Sequence, residues 1–447
     1  MIRASRSVKL GLSRRVGIGL LLITLVIGVL PLSSTAQGTP EASPVASEQA
    51  SAPYAWVQLG PDGSLSARII VAGDCPSLTA DDQDITMSRR GSGSPDAFPV
   101  TACEAAVPTG ATALSITGHP LPFLVDQPRR IAVIGDTGCR AETWDPFQSC
   151  NDPAAWPFAA ISEQVAAFEP DLIIHVGDYL YREVACPPGQ AGCAGSPFGD
   201  NWETWEADFF QPAASALGAA PWLFIRGNHE VCSRAGDGWF RFLDPRAYPE
   251  SCADYTEPYA LDLGDQRLVI LDSAIAADEV STAEETAMFR QEFTEIGSIA
   301  GDSAWLVTHK PIWSIIENKQ GNQIQVDTET FADAIDDVLP GAITLVVSGH
   351  IHLAEILDFK DGSGRPTQLV VGNSGTELDR NITASLSGME LDDVELSFAE
   401  TIERFGFLTL EPVDAGWVAS ERGVDGSIGI ACLLQGKSAD CGMAHTD

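Results

Sequence analysis

The chain has 447 residues, enough for a sizeable catalytic core with an accessory region rather than one small domain. Its 26 Lys and Arg against 62 Asp and Glu leave a formal charge of −36, which opposes binding to nucleic acid or to an anionic membrane. An anionic substrate would need strong local positive charge, which bound metal ions supply.

Residues 1–36 have the layout of an export signal. Arg3, Arg6, Lys9, Arg14 and Arg15 precede or open an apolar stretch over 16–30, and Ser34-Thr35-Ala36 offers small residues for cleavage. That stretch is shorter than the roughly 20 residues a membrane span needs, so no stable membrane insertion is expected after cleavage. Ser13-Arg14-Arg15 is compatible with the twin-arginine route, and the expected location is the periplasm, the cell surface or the medium. Loss of those five basic residues would take the formal charge to −41. Residues 37–53 are rich in Pro, Ser, Ala and Glu without apolar periodicity and read as a disordered linker. Residues 54–127 hold short alternating segments such as Trp56-Val57-Gln58-Leu59, broken by Gly, Pro and Asp clusters, and read as a small β-rich accessory domain.

From residue 128 the texture changes. Strand-like runs at 130–134, 172–176, 222–226, 304–307 and 343–348 alternate with helical patterns at 154–168, 201–217, 282–296 and 329–338. Alternation of this kind predicts an α/β sheet covered by helices on both faces. Beyond His352 strands return at 354–359, 368–371, 405–410 and 416–421, with a turn at Asp361-Gly362-Ser363-Gly364. The catalytic domain is taken as 128–431, and 432–447 as a C-terminal tail closed by a disulfide. The ten cysteines fall in neighbouring couples: Cys75/Cys103, Cys139/Cys150, Cys186/Cys193, Cys232/Cys252 and Cys432/Cys441. In an exported protein, local bridges between these couples are expected.

Each of the five strand-like runs ends in a short polar motif. These are Gly135-Asp136-Thr137-Gly138, Gly177-Asp178-Tyr179-Leu180-Tyr181, Gly227-Asn228-His229-Glu230, Thr308-His309 and Gly349-His350-Ile351-His352. Ligands of open α/β sheets bind beyond the carboxyl ends of the strands, so one edge would receive two carboxylates, a phenol, an amide and four imidazoles. Each motif alone is weak. Gly-Asp after a strand is usually a turn, a lone His-x-His is usually incidental, and His309 before Lys310-Pro311 alone would be a core histidine. Together they are stronger, because four of only seven histidines stand directly after strand-like runs. His175, inside its strand, reads as packed. Arg182, Arg226 and Lys310 adjoin motifs and either touch substrate or form salt bridges. No Gly-x-Ser-x-Gly elbow and no Walker loop accompanies the set. The donors point to a two-metal hydrolase.

The order of these motifs resembles the calcineurin-like metallophosphoesterase superfamily over about residues 130–375. Gly138 two residues after Asp136, and Tyr181 three residues after Asp178, resemble the purple acid phosphatases within it. The resemblance implies a four-layer αββα sandwich with a small N-terminal β-rich domain. It implies one metal held by Asp136, Asp178, Tyr181 and His352, and a second held by Asp178 as the bridge with Asn228, His309 and His350. His229 would face the phosphate as the catalytic acid–base group. The cofactors implied are two metal ions, Fe(III) with a divalent Fe, Zn or Mn, that generate a hydroxide nucleophile for in-line attack. Leu353-Ala354-Glu355 replaces the aromatic and charged segment usual after the last histidine, a departure that concerns substrate specificity. The expected function is an exported phosphatase acting on small phosphomonoesters. The alternatives are a phosphodiesterase or nucleotide hydrolase on the same metals, and a non-catalytic cell-surface binding protein that keeps metals to hold its loops.

Overall fold

Residue alternation along the strands sets the layers in the computed structural model. It describes residues 54–443 apart from 92, 95, 143–146, 318–322, 326–327, 336–338, 381 and 383–385. The expected signal and linker lie outside the described residues. In the strand Ile131–Ile134, Ile131 and Val133 face a core shared with a second sheet, whereas Ala132 and Ile134 face helices. A strand's period of two requires this division. Leu172–His175 and Trp222–Phe224 lie parallel beside it, with Leu172, Ile174 and Leu223 on the shared side. The second sheet has the same logic. Gln266–Leu271, Ala304–Thr308, Ile343–Ser348 and Thr367–Val371 run parallel. Their Leu268, Ile270, Trp305, Val307, Leu345 and Val347 fill the shared core, while Val269, Leu271, Leu306 and Val346 pack outward.

Helices therefore cover only the outer face of each sheet. Phe158–Ala167 and Gly236–Phe242 lie on the first, Ala283–Ile299 and Glu329–Ile335 on the second. The architecture is a four-layer αββα sandwich. One sheet with helices on both faces, the expectation from alternation, gives way to two sheets because each buries an apolar inner face against the other. The helix expected over 201–217 is divided into Trp202–Trp205, the wider turn Glu206–Phe210 and Ala214–Leu217. Pro212 lacks the N–H that a continuous helix would use there.

The N-terminal region is β-rich and joined to the first sheet. Ala55–Leu59 pairs parallel with Trp222–Phe224 and antiparallel with Leu65–Val71. Buried Arg68 and Arg90 donate to the carbonyls of Phe240, Phe242 and Asp244 at the end of the helix Gly236–Phe242. At the other edge, Ile428–Gln435 and Ser438–Met443 form a hairpin, so residues 432–443 are sheet. All ten cysteines form the five neighbouring bridges that their spacing predicts. Cys139–Cys150 and Cys232–Cys252 brace loops that follow two of the motifs. Among the described residues, no helix is long and apolar enough to cross a membrane.

Candidate metal centre

All five motifs follow the carboxyl ends of parallel strands, three in the first sheet and two in the second. The loops turn too sharply for ordinary backbone. Asp136, Asp178 and His350 have φ of 54°, 59° and 74°, a left-handed region that non-glycine residues rarely occupy. Such strain persists where surrounding contacts over-determine it, and those contacts are present. His350 N donates to Asp136 Oδ2 at 2.9 Å, and His229 N donates to Asp178 Oδ1 at 2.9 Å. Gly227 is required by close approach, because a Cβ there would lie 2.0 Å from Asp178 Oδ1.

Two buried carboxylates tie the loops together. Glu230 accepts from the backbone N–H groups of Asp178, Tyr179, Leu180 and Gly227 at 2.9–3.2 Å. Asp208 accepts from the N–H groups of Cys139, Tyr181 and Arg182 and pairs with the Arg182 guanidinium at 2.5 Å. Burial and the charge of Asp178 push the Glu230 carboxyl up to about 7.

The sequence-predicted donors converge in two overlapping groups. In the first, the Tyr181 hydroxyl lies 3.0 Å from Asp136 Oδ1, 2.9 Å from Asp178 Oδ2 and 2.8 Å from His352 Nε2. His352 Nε2 is 3.6 Å from Asp136 Oδ1. In the second, His309 Nε2 lies 2.9 Å from Asn228 Oδ1 and 3.2 Å from Asp178 Oδ2. One donor atom each from Asp178, His309 and His350 fall within 4.8 Å of one another. His309 Nδ1 is 2.8 Å from the Val176 carbonyl. A carbonyl only accepts, so that nitrogen carries a proton, and in the neutral ring Nε2 keeps the lone pair.

This donor set fits metal ions. A hydroxyl has one proton, so Tyr181 satisfies only one of its three close neighbours. Oxygen and imidazole donors at these separations are suited to Fe, Zn or Mn. The electrostatics agree. Burial, with the charge of Asp178, pushes the Asp136 carboxyl up to about 8. Burial opposes the His309 cation, but Asp178 and Asp136 outweigh it and lift the ring to about 9. Burial takes His352 down to about 4, and burial with Asp178 and Asp136 holds the Tyr181 phenol well above its usual range. A cation among these groups would favour the ionised Asp136 and Tyr181 and the neutral His309, and His352 is already held neutral.

His229 stands beside this centre. Its ring packs against Tyr181 at 3.8 Å between centroids with the planes tilted by 35°, Nδ1 3.0 Å from Glu183 Oε1 and Nε2 3.8 Å from Asp178 Oδ2. Burial opposes its charged form, but Asp178 and Glu183 outweigh it and raise the ring above its usual value. Arg234 Nη2 lies 2.8 Å from His229 Nδ1, and Glu142 Oε1 lies 3.6 Å from Nε2. Glu142, Glu183, Arg234 and Asp208 stand in no motif, and sequence alone does not single them out. Glu230 is the fourth residue of Gly227-Asn228-His229-Glu230, so its position was the available signal. His175 is packed, with Nε2 2.9 Å from Thr137 Oγ1 and its ring stacked on Tyr179. The three basic residues beside the motifs are buried in protein contacts. Arg182 binds Asp208 and Ser196, Arg226 binds the carbonyls of Glu230 and Ala253, and Lys310 binds Asp278 and the Ala276 carbonyl.

Comparison with known proteins agrees with this geometry. The chain is similar to purple acid phosphatase 23 of Arabidopsis thaliana, at 24% identity over 292 residues that cover 61% of this chain and 58% of that protein. It thus spans less than two thirds of that relative's length. The fold is similar to a structure of PhoD, with 10% identity, a TM-score of 0.54 and coverage of 90% of this chain and 94% of that one. It is also similar to purple acid phosphatase PPD1 from yellow lupin (Lupinus luteus) seeds, with 12% identity, a TM-score of 0.50 and coverage of 84% and 73%. The model of the calcineurin-like phosphoesterase family matches residues 129–354, about half of the sequence and all five motifs, and the chain belongs to that family.

Proposed function

We propose that the chain is an exported two-metal phosphatase of the purple acid type that hydrolyses small phosphomonoesters. Three observations support the reading: the shared oxygen of Asp178, the Tyr181 hydroxyl among Asp136, Asp178 and His352, and Gly138 two residues after the first aspartate. The observation that carries it is the position of Tyr181. One ion would be held by Asp136, Asp178, Tyr181 and His352, and the other by Asp178, Asn228, His309 and His350. Fe(III) suits the first group because it contains a phenol, and a divalent Fe, Zn or Mn suits the second. Two such ions supply positive charge for the phosphoryl group and for ionisation of the attacking water.

The residues do the rest. His309 is fixed by the Val176 carbonyl so that Nε2 alone faces inward. Asp178 Oδ1 accepts the His229 N–H, which holds that ring beside Tyr181, where it would face a phosphate on the two ions. The raised affinity of His229 for a proton equips it to donate to the leaving oxygen. The acidic surface disfavours nucleic acid, and five disulfides support export.

The test compares turnover of a phosphomonoester and a phosphodiester by purified protein of known metal content. Preference for the monoester with two ions per chain is expected. Preference for the diester would make the site a phosphodiesterase, and metal-loaded protein with no turnover of either would favour a binding role.

A further inference from the structure

We propose that Asp278 is a positioning residue for His350, selecting which ring nitrogen faces a metal ion, and that Lys310 neutralises Asp278 as it does so. This rests on the reading of His350 as a metal ligand. Asp278 Oδ1 lies 3.2 Å from His350 Nε2 and 2.7 Å from Lys310 Nζ. A neutral imidazole carries one N–H and one lone pair, and a carboxylate only accepts. The proton of His350 therefore sits on Nε2, and Nδ1 is left to bind a cation. Carboxylate partners of this kind fix the tautomer and orientation of metal-binding histidines.

Asp278 acts from outside the ligand set. It is absent from the group formed by Asp178, His309 and His350. The oxygen that faces His350 already receives the Lys310 ammonium, which leaves it poorly suited to a second cation. Lys310 is itself fixed. It is 4% exposed, its ammonium also donates to the Ala276 carbonyl at 2.7 Å, and its N–H donates to Ser273 Oγ at 2.8 Å. A bare carboxylate would orient the ring and add a full negative charge near the ion. Paired with lysine, it orients the ring and adds little net charge. Lys310 directly follows His309, so one strand end supplies a predicted ligand and the cation that holds the partner of another. The backbone of His350 is fixed independently through its bond to Asp136, which leaves ring orientation for Asp278 to set.

Zn(II) affinity of each site, measured by chelator competition on metal-free protein, tests the assignment with Asp278→Asn, Asp278→Ser, Lys310→Met and His350→Asn. Melting of the metal-free proteins is followed in parallel. Both Asp278 variants are expected to weaken one of the two sites by about 10–100-fold, the same site that His350→Asn removes, with the other unchanged. Lys310→Met should bind Zn(II) at that site at least as tightly as the parent. If His350→Asn weakens one site and the Asp278 variants weaken neither, the positioning role is overturned and the ligand assignment stands. If His350→Asn weakens neither site, the ligand assignment fails, and this inference with it. Equal weakening of both sites with a lowered melting temperature would make Asp278 a structural residue and overturn the proposal.

Discussion

Tyr181 and His309 meet at one atom from opposite sheets. The Tyr181 hydroxyl lies 2.9 Å, and His309 Nε2 lies 3.2 Å, from Asp178 Oδ2. That oxygen is where the two groups of donors overlap. Asp178→Asn should therefore lose both ions, since an amide is a poor bridge and carries no charge. His352→Asn should lose only the ion held by Asp136 and Tyr181. Elemental analysis of both variants after gel filtration checks this. An Asp178→Asn protein that retained one full equivalent of metal would show that the carboxylate serves a single ion.

His229→Asn should keep both ions and lose about 10²–10⁴ in turnover, the usual effect of removing an acid–base group. His229 bonds Asp178 through its backbone N–H, and its ring Nε2 stands 3.8 Å from Asp178 Oδ2. Metal content and turnover measured on the same preparation separate the roles. Metal loss in His229→Asn equal to that in His350→Asn would place His229 among the ligands.

Glu355 gives the fold a pH dependence of its own. Burial pushes its carboxyl up to about 8 although the Ile315 N–H donates to Oε1, and among the described residues its Oε2 has no hydrogen-bond partner. Below about 4.5 both folded and unfolded chains carry the proton. Between about 4.5 and 8 the unfolded chain ionises and the folded chain does not, so stability falls as pH rises. The slope is about 1.4 kcal/mol per pH unit. Glu355→Gln should remove it, and the stability difference between parent and variant, from urea midpoints at pH 5 to 8, should change across that range. A constant difference would show that Glu355 is already ionised in the folded protein.

Most of the candidate metal centre was legible because its donors stand at or just after strand ends, which read as apolar runs that stop at a short polar motif. Asp136, Asp178, Asn228, His309 and His350 were all readable in this way. The layering was less legible. Ile131 and Ile134 are both apolar, and only the partner that each side buries against distinguishes two sheets from one. The residues that hold the centre were the least legible. Asp208 and Asp278 reach the motif loops across 26 and 72 residues, pairing with Arg182 and His350. Carboxylates in loops carry no periodic pattern. The last hairpin was cut at residue 431, and 432–447 were taken as a tail, although Ile428–Gln435 pairs with Ser438–Met443; Gly429, Gly436 and Gly442 interrupt the alternation there.

The visible spectrum of the native protein and of Tyr181→Phe tests the central claim most directly. A phenolate bound to Fe(III) absorbs in the visible range, and no site holding only Zn(II) or Mn(II) does so. Without a cation, burial and two carboxylates keep the Tyr181 phenol protonated, so any such band reports a metal at this hydroxyl. The account predicts coloured native protein whose band disappears in Tyr181→Phe while iron remains bound through Asp136, Asp178 and His352. Colourless, fully active protein containing only divalent metal would contradict it.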